Sequence, residues 1–173
     1  LRSHSPNFRV IGATARPAAA VIARLCHERS ACLVDDLGLG GILDFSSYGL
    51  PDERTPAAGL EAGADAVLMA GDKLLGGPSC GIILGKRRTL ETIRRHPHAS
   101  ALAADKSTLA ALAGTLRLYR EPDRARREIP LLHFLTTSIE NLRNRAERLA
   151  PQLAAAACIE AAEALADVTY LTE

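Results

Sequence analysis

Short apolar runs alternate with amphipathic segments through the first half of the chain, and this alternation limits the possible folds more than any other feature. "FRVIG" at 8–12 and "ACLV" at 31–34 have strand length, while "PAAAVIARLCHERS" between them puts Val21, Ile22 and Leu25 on one helical face behind Pro17. "TPAAGLEAG" at 55–63 reads as a second short helix and "ADAVLMA" at 64–70 as a third strand. Strands and helices in this order, with near-continuous apolar strands, predict an α/β fold whose sheet is covered on both faces. The connection from "ADAVLMA" to the next apolar run, "CGIILG" at 80–85, is too short for a helical crossover, so that strand returns antiparallel.

From Arg87 onward the pattern is helical. "RRTLETIRR" ends at His96-Pro97, and "DKSTLAALAGTLRLYR" carries Leu109, Leu112, Leu116 and Tyr119 on one stripe. Pro130 opens a long helix through "LLHFLTTSIENLRNRAERLAPQLAAAA", with a kink expected near Pro151, and "VTYL" at 168–171 reads as a strand cut short. The expected organisation is a large-domain portion over 1–125, then the long helix and the start of an incomplete smaller domain over 126–173. The chain opens on Leu1, within what reads as the interior of a domain, and is expected to be a fragment.

Twenty-one Lys and Arg against 20 Asp and Glu leave a net charge of +1, so global charge selects no nucleic-acid or membrane partner. The four cysteines, Cys26, Cys32, Cys80 and Cys158, form no CxxC pair or zinc-ligand spacing, and the expectation is a reduced, cytoplasmic protein. The sequence contains neither a run of about 18 apolar residues nor a signal-peptide pattern, so no membrane association is expected.

In parallel sheets ligands gather at the carboxyl ends of the strands. Two charged groups fall there: Asp36, after "ACLV", and Lys73, in the corner "GDKLLGGP" after "ADAVLMA". A lysine amine becomes a covalent catalyst by condensing with an aldehyde, and pyridoxal phosphate is the usual one. Its ring is kept electron-poor by a carboxylate that holds the pyridine nitrogen protonated. Glycines at 38, 40, 41, 76 and 77 let backbone approach a flat cofactor. Taken singly, a turn lysine is ordinarily solvated, and an acid after a strand is ordinarily a cap or turn former. Together at successive strand ends they make a candidate cofactor site.

Three blocks, "DLGLGGILDFSSYGLP", "GDKLLGGPSCGIILGK" and "ADKSTLAALAGTLRLY", resemble the bacterial selenocysteine synthases, the L-seryl-tRNA(Sec) selenium transferases. The likeness is collinear from "HSPNFRVIG" to "REIPLL" and "NRAERLA". It implies a pyridoxal-phosphate enzyme of the aspartate aminotransferase fold (fold type I), here its large-domain portion with part of a smaller C-terminal α+β domain. By the same resemblance Lys73 carries the cofactor, Asp36 partners the pyridine nitrogen, Asp72 assists proton transfer and Asn7 contacts the ring hydroxyl. For Asp72 a turn carboxylate, and for Asn7 a generic loop asparagine, remain the ordinary alternatives. The implied substrates are seryl-tRNA(Sec) and selenophosphate, joined through an aminoacrylate to give selenocysteinyl-tRNA(Sec). The implied assembly is a homo-oligomer built from dimers.

The family writes HPLKRALRADK where this chain reads "HPHASALAADK", so two arginines expected to hold an anion are replaced by Ser100 and Ala103. Leu39 replaces the serine of the family's DLGSG. These departures leave open a related pyridoxal-phosphate lyase or aldolase acting on a small amino acid or amino sugar acid, and an inactive homologue. Arg117, Arg120, Arg124, Arg126 and Arg127 form a basic cluster that could meet tRNA phosphates, although Glu121, Asp123 and Glu128 equally suggest a salt-paired helix junction. His96, His98 and His133 are not spaced as a metal site.

Overall fold

The computed structural model describes residues 1–4, 12–48, 50 and 53–167. The expected strand at 8–12, the expected strand at 168–171 and Asn7 lie outside the described residues, in whole or in all but one position. The sheet has four strands in sequential order: β1 (Arg2–Ser3), β2 (Val34–Asp36), β3 (Ala66–Ala70) and β4 (Gly81–Gly85). The first three are parallel, and β4 returns antiparallel with Ala66 opposite Gly85 and Ala70 opposite Gly81, as the short connection requires.

The helix between β1 and β2 is α1 (Ala19–Glu28), and the one between β2 and β3 is α2 (Pro56–Glu61). Pro17 precedes α1 and its N-cap Ala18, so it directs the chain into the helix without belonging to the first turn. In α2 Pro56 does occupy that turn, and the Thr55 hydroxyl accepts the Ala58 N–H. Both helices cover one sheet face, where Ala23, Leu33, Leu37, Ala64 and Val67 are buried against Ile22, Cys26 and Leu60. The opposite face carries half-buried Leu68 and exposed Ile83, so among the described residues the sheet is covered on one face.

β2 begins three residues later than its apolar run. The Leu33 N–H donates to Asp65 Oδ2 (2.8 Å) and the Leu33 carbonyl accepts the Asp65 N–H (2.8 Å), which engages that residue before the ladder starts. Asp35 and Asp36 therefore lie inside the strand rather than after it.

After β4 come α3 (Arg87–Arg94), α4 (Lys106–Leu118) and α5 (Pro122–Glu128). The single long helix expected from Pro130 is two helices, α6 (Pro130–Thr136) and α7 (Ile139–Ala154). Thr137 is extended at ψ 128° and the Ser138 hydroxyl caps the Asn141 N–H at 3.2 Å, so capping stops one helix and starts the next. α7 then continues through Pro151. A second buried cluster, Leu39, Phe45, Leu74, Ala125, Ile129 and Leu132, ties α5 and α6 to the loops at the carboxyl ends of β2 and β3.

Asp65 fastens the opposite end of β3. Its carboxylate accepts from the Leu33 N–H, from His27 Nε2 (2.9 Å) and from Lys86 Nζ (2.7 Å). Burial pushes this carboxyl up, but Lys86, His27 and the Leu33 N–H outweigh it and hold it at about 2, against an ordinary 3.8. A depressed folded-state pKa stabilises above the unfolded value and ceases to as pH falls through the folded one. Asp65→Asn is expected to lower stability at pH 7 by about 1–3 kcal/mol. It should also remove the part of the loss that wild type suffers between pH 4 and 2, as read from urea unfolding across that range.

Candidate functional site

The corner at 71–80 is closed by its own backbone. Gly71 N–H donates to the Cys80 carbonyl (2.8 Å), Gly77 N–H to the Gly71 carbonyl (2.8 Å) and Gly76 N–H to the Lys73 carbonyl (2.9 Å). Leu74 and Leu75 are buried beneath it at 1% and 0% exposure. The Tyr119 hydroxyl, at the end of α4, donates to the Leu75 carbonyl at 2.9 Å. Burial, with a smaller contribution from Tyr48, pushes the Tyr119 phenol up to about 12, so it remains a donor throughout the physiological range.

Two glycines are required by this packing. A Cβ at Gly71 would lie 2.6 Å from Cys80 Sγ and 2.7 Å from the Pro78 carbonyl oxygen. Gly76 sits at φ +67°, and a Cβ there would reach within 2.4 Å of Ile129 Cγ2. Gly76→Ala is expected to cost about 2 kcal/mol from left-handed strain and overpacking, visible as a lower urea midpoint with unchanged m-value.

The buried leucines leave Asp72 and Lys73 exposed at the tip. Lys73 lines a pocket of about 310 Å³ with Leu39, Asp72, Leu74, Gly76 and Leu131. Neither its amine nor the Asp72 carboxylate has a hydrogen-bond or ion-pair partner among the described residues. The chain has only three lysines. Lys86 is bound to Asp65 at the far end of β3 and Lys106 opens α4, so among the described residues Lys73 is the one lysine in the loops that follow the carboxyl ends of the parallel strands.

The two aspartates of β2 face opposite ways, because successive strand residues alternate. Asp35, opposite Val67, is fully buried; Arg54 forks onto both its oxygens and Arg2 Nη1 lies 3.2 Å from Oδ2. Asp36, opposite Leu68, is half-buried. Its Oδ1 accepts the Gly38 N–H at 3.0 Å, and Ser3 Oγ lies 3.4 Å from Oδ2. It lines a pocket of about 390 Å³ whose other walls include Gly38, Leu68, Ala70, Cys80 and Ile82.

Asp36 and Lys73 thus reach the same edge of the sheet, where the Ala70 N–H donates to the Gly38 carbonyl at 3.2 Å, but they line two neighbouring pockets rather than one. At the two positions where arginines were expected, Ser100 and Ala103 are both exposed, and Ser100 Oγ donates to the Pro97 carbonyl at 3.3 Å. Sequence reasoning missed Ser3, Arg54 and the hydroxyl role of Tyr119. A tyrosine closing an apolar stripe was the one local signal for Tyr119; Ser3 and Arg54 had none, because their partners lie 33 and 19 residues away.

The family model for L-seryl-tRNA selenium transferases matches residues 1–169. The chain belongs to this family. It is 45% identical over 155 residues to the L-seryl-tRNA(Sec) selenium transferase of Rhizobium meliloti (strain 1021), covering 90% of this chain and 33% of that protein. The enzyme of the same name from Nitratidesulfovibrio vulgaris is 44% identical over 88% of this chain and 33% of its own length. That from Klebsiella pneumoniae subsp. pneumoniae is 45% identical over 90% and 34% respectively. The chain therefore spans about a third of the length of the curated relatives it matches. The α/β architecture with its mixed sheet is compatible with this membership. Among the described residues no helix is long and apolar enough to cross a membrane.

Proposed function

We propose that this chain is the lysine-bearing part of a pyridoxal-phosphate enzyme of the aspartate aminotransferase fold that converts seryl-tRNA(Sec) to selenocysteinyl-tRNA(Sec) with selenophosphate. The observation that carries the reading is an unpaired lysine amine on a rigid corner at the same sheet edge as an open aspartate, in a chain of this family.

The residues present suit the cofactor. Asp36 keeps an accessible carboxylate beside an apolar pocket with Gly38 at its side, which suits a flat aromatic ring with one protonated nitrogen. Asp35 cannot serve, since both its oxygens are taken by arginines. When bound, pyridoxal phosphate supplies an electron sink that makes the α-proton of the serine moiety removable. Lys73 Nζ would hold the cofactor covalently and, when free, would be the group that accepts that α-proton. Asp72 stands next to it with no competing partner among the described residues and would assist proton transfers at the substrate. Asn7 is assigned to the ring hydroxyl on the resemblance alone. The enzyme is proposed to act as a dimer-based homo-oligomer.

The test is turnover by the full-length protein with seryl-tRNA(Sec) and selenophosphate, analysing the amino acid released from the tRNA. Selenocysteine is the expected product. Because positions 100 and 103 offer no charge for the donor, the informative contrary result is pyruvate or glycine release from a free small amino acid with no selenium incorporation. That outcome would assign the corner to a lyase or aldolase.

A further inference from the structure

α3 carries the strongest uncompensated charge among the described residues. Lys86 through His98 hold five Lys or Arg and one acid, Glu91, in a chain whose total is only +1. Lys86 is engaged by Asp65. Arg87, Arg88, Arg94 and Arg95 are all exposed, and none makes a salt bridge among the described residues. At 3.6 residues per turn these four positions fall within an arc of about 120° centred on Glu91, with Ile93 opposite and Leu90 to one side, and extend over about 12 Å of helix; Glu91 makes no salt bridge with any of them among the described residues. The cluster that stands out in the sequence at 117–127 is partly compensated: Arg117, Arg120 and Arg127 make no salt bridge among the described residues, but the other two arginines do. Arg124 is bound to Glu128 at 2.7 Å with Glu121 at 4.0 Å, and Arg126 to Asp123 at 3.1 Å and to the Tyr48 hydroxyl.

We infer that the arginine face of α3 is a docking surface for the phosphodiester backbone of RNA, which rests on the reading above that the substrate is an aminoacyl-tRNA. Two pairs of unpaired guanidiniums, one at each end of α3 with the single carboxylate of Glu91 between them, suit successive phosphates of a backbone, each of which can accept a bidentate pair of N–H donors. The face has no aromatic residue, so it contacts backbone rather than stacking on bases, and it positions RNA without reading sequence. A lipid surface fits less well: an interfacial helix needs a broad apolar face with large anchors, and α3 offers only Leu90, half-buried, and Ile93, 37% exposed.

The experiment measures binding of full-length protein to unacylated tRNA(Sec) transcript and to an unrelated duplex RNA across a salt series. The variants are Arg87→Ala/Arg88→Ala/Arg94→Ala/Arg95→Ala, the same four positions as lysine, and Arg124→Ala. The alanine variant is expected to bind both RNAs at least about tenfold more weakly near 0.15 M salt, with a log K against log salt slope shallower by about 3. The lysine variant should restore the slope, and Arg124→Ala should leave it unchanged. Unchanged affinity and slope in the alanine variant would overturn the inference. So would unchanged RNA affinity with lost binding to phosphatidylserine vesicles or polyglutamate, or a lysine variant as weak as the alanine one. Lys73 takes no part in this binding, so failure here leaves the cofactor assignment standing, and failure of cofactor attachment at Lys73 leaves this measurement intact.

Discussion

Lys73→Ala should abolish turnover while leaving the fold untouched. The side chain is exposed and has no partner among the described residues, so its removal costs no packing or ion pair. Losing a positioned proton acceptor alone lowers a rate by about 10²–10⁴-fold, and losing the covalent anchor adds to this. Lys73→Arg separates chemistry from charge: a guanidinium keeps the positive charge but is not a usable amine nucleophile. Both variants should be equally dead at wild-type thermal stability. Recovery of activity in Lys73→Arg would mean that the residue acts only through its charge.

The neighbouring aspartates should respond to substitution in opposite ways. Asp35→Ala leaves Arg2 and Arg54, with side chains only 20% and 25% exposed, facing each other without their carboxylate. Breaking a buried pair in this manner costs about 3–5 kcal/mol. Urea unfolding of the full-length protein should show that loss. Asp36→Asn retains an acceptor for the Gly38 N–H and sits on the open face, so stability should hardly change. It removes the negative charge proposed to keep the ring nitrogen protonated, so turnover should fall sharply. If Asp36→Asn unfolded the protein and Asp35→Ala silenced a stable one, the two roles would have to be exchanged.

Local signals carried much of the fold. Thr55-Pro56 marked the start of α2, and the short glycine-rich link after Ala70 forced β4 to run antiparallel. What failed depended on distant partners. The start of β2 is set by Asp65, 32 residues from Leu33, and the burial of Asp35 by arginines 33 and 19 residues away. At 137–138 the cue was present, a serine placed to cap the turn holding Glu140 and Asn141, but the apolar run around it masked the break. For the site, the corner and the strand-end acid were legible as motifs. Their arrangement into two adjoining pockets was not, because alternation along β2 depends on where the strand begins. The same contrast governs the arginines: proximity in sequence drew attention to 117–127, where acids at helical spacing pair Arg124 and Arg126.

The most direct test is to load the full-length protein with pyridoxal phosphate, reduce it with borohydride and map the modified peptide. A cofactor-sized mass adduct on Lys73 is the predicted result, absent from Lys73→Ala. An adduct on Lys86 or Lys106, or no adduct on this chain at a cofactor concentration that supports turnover, would contradict it.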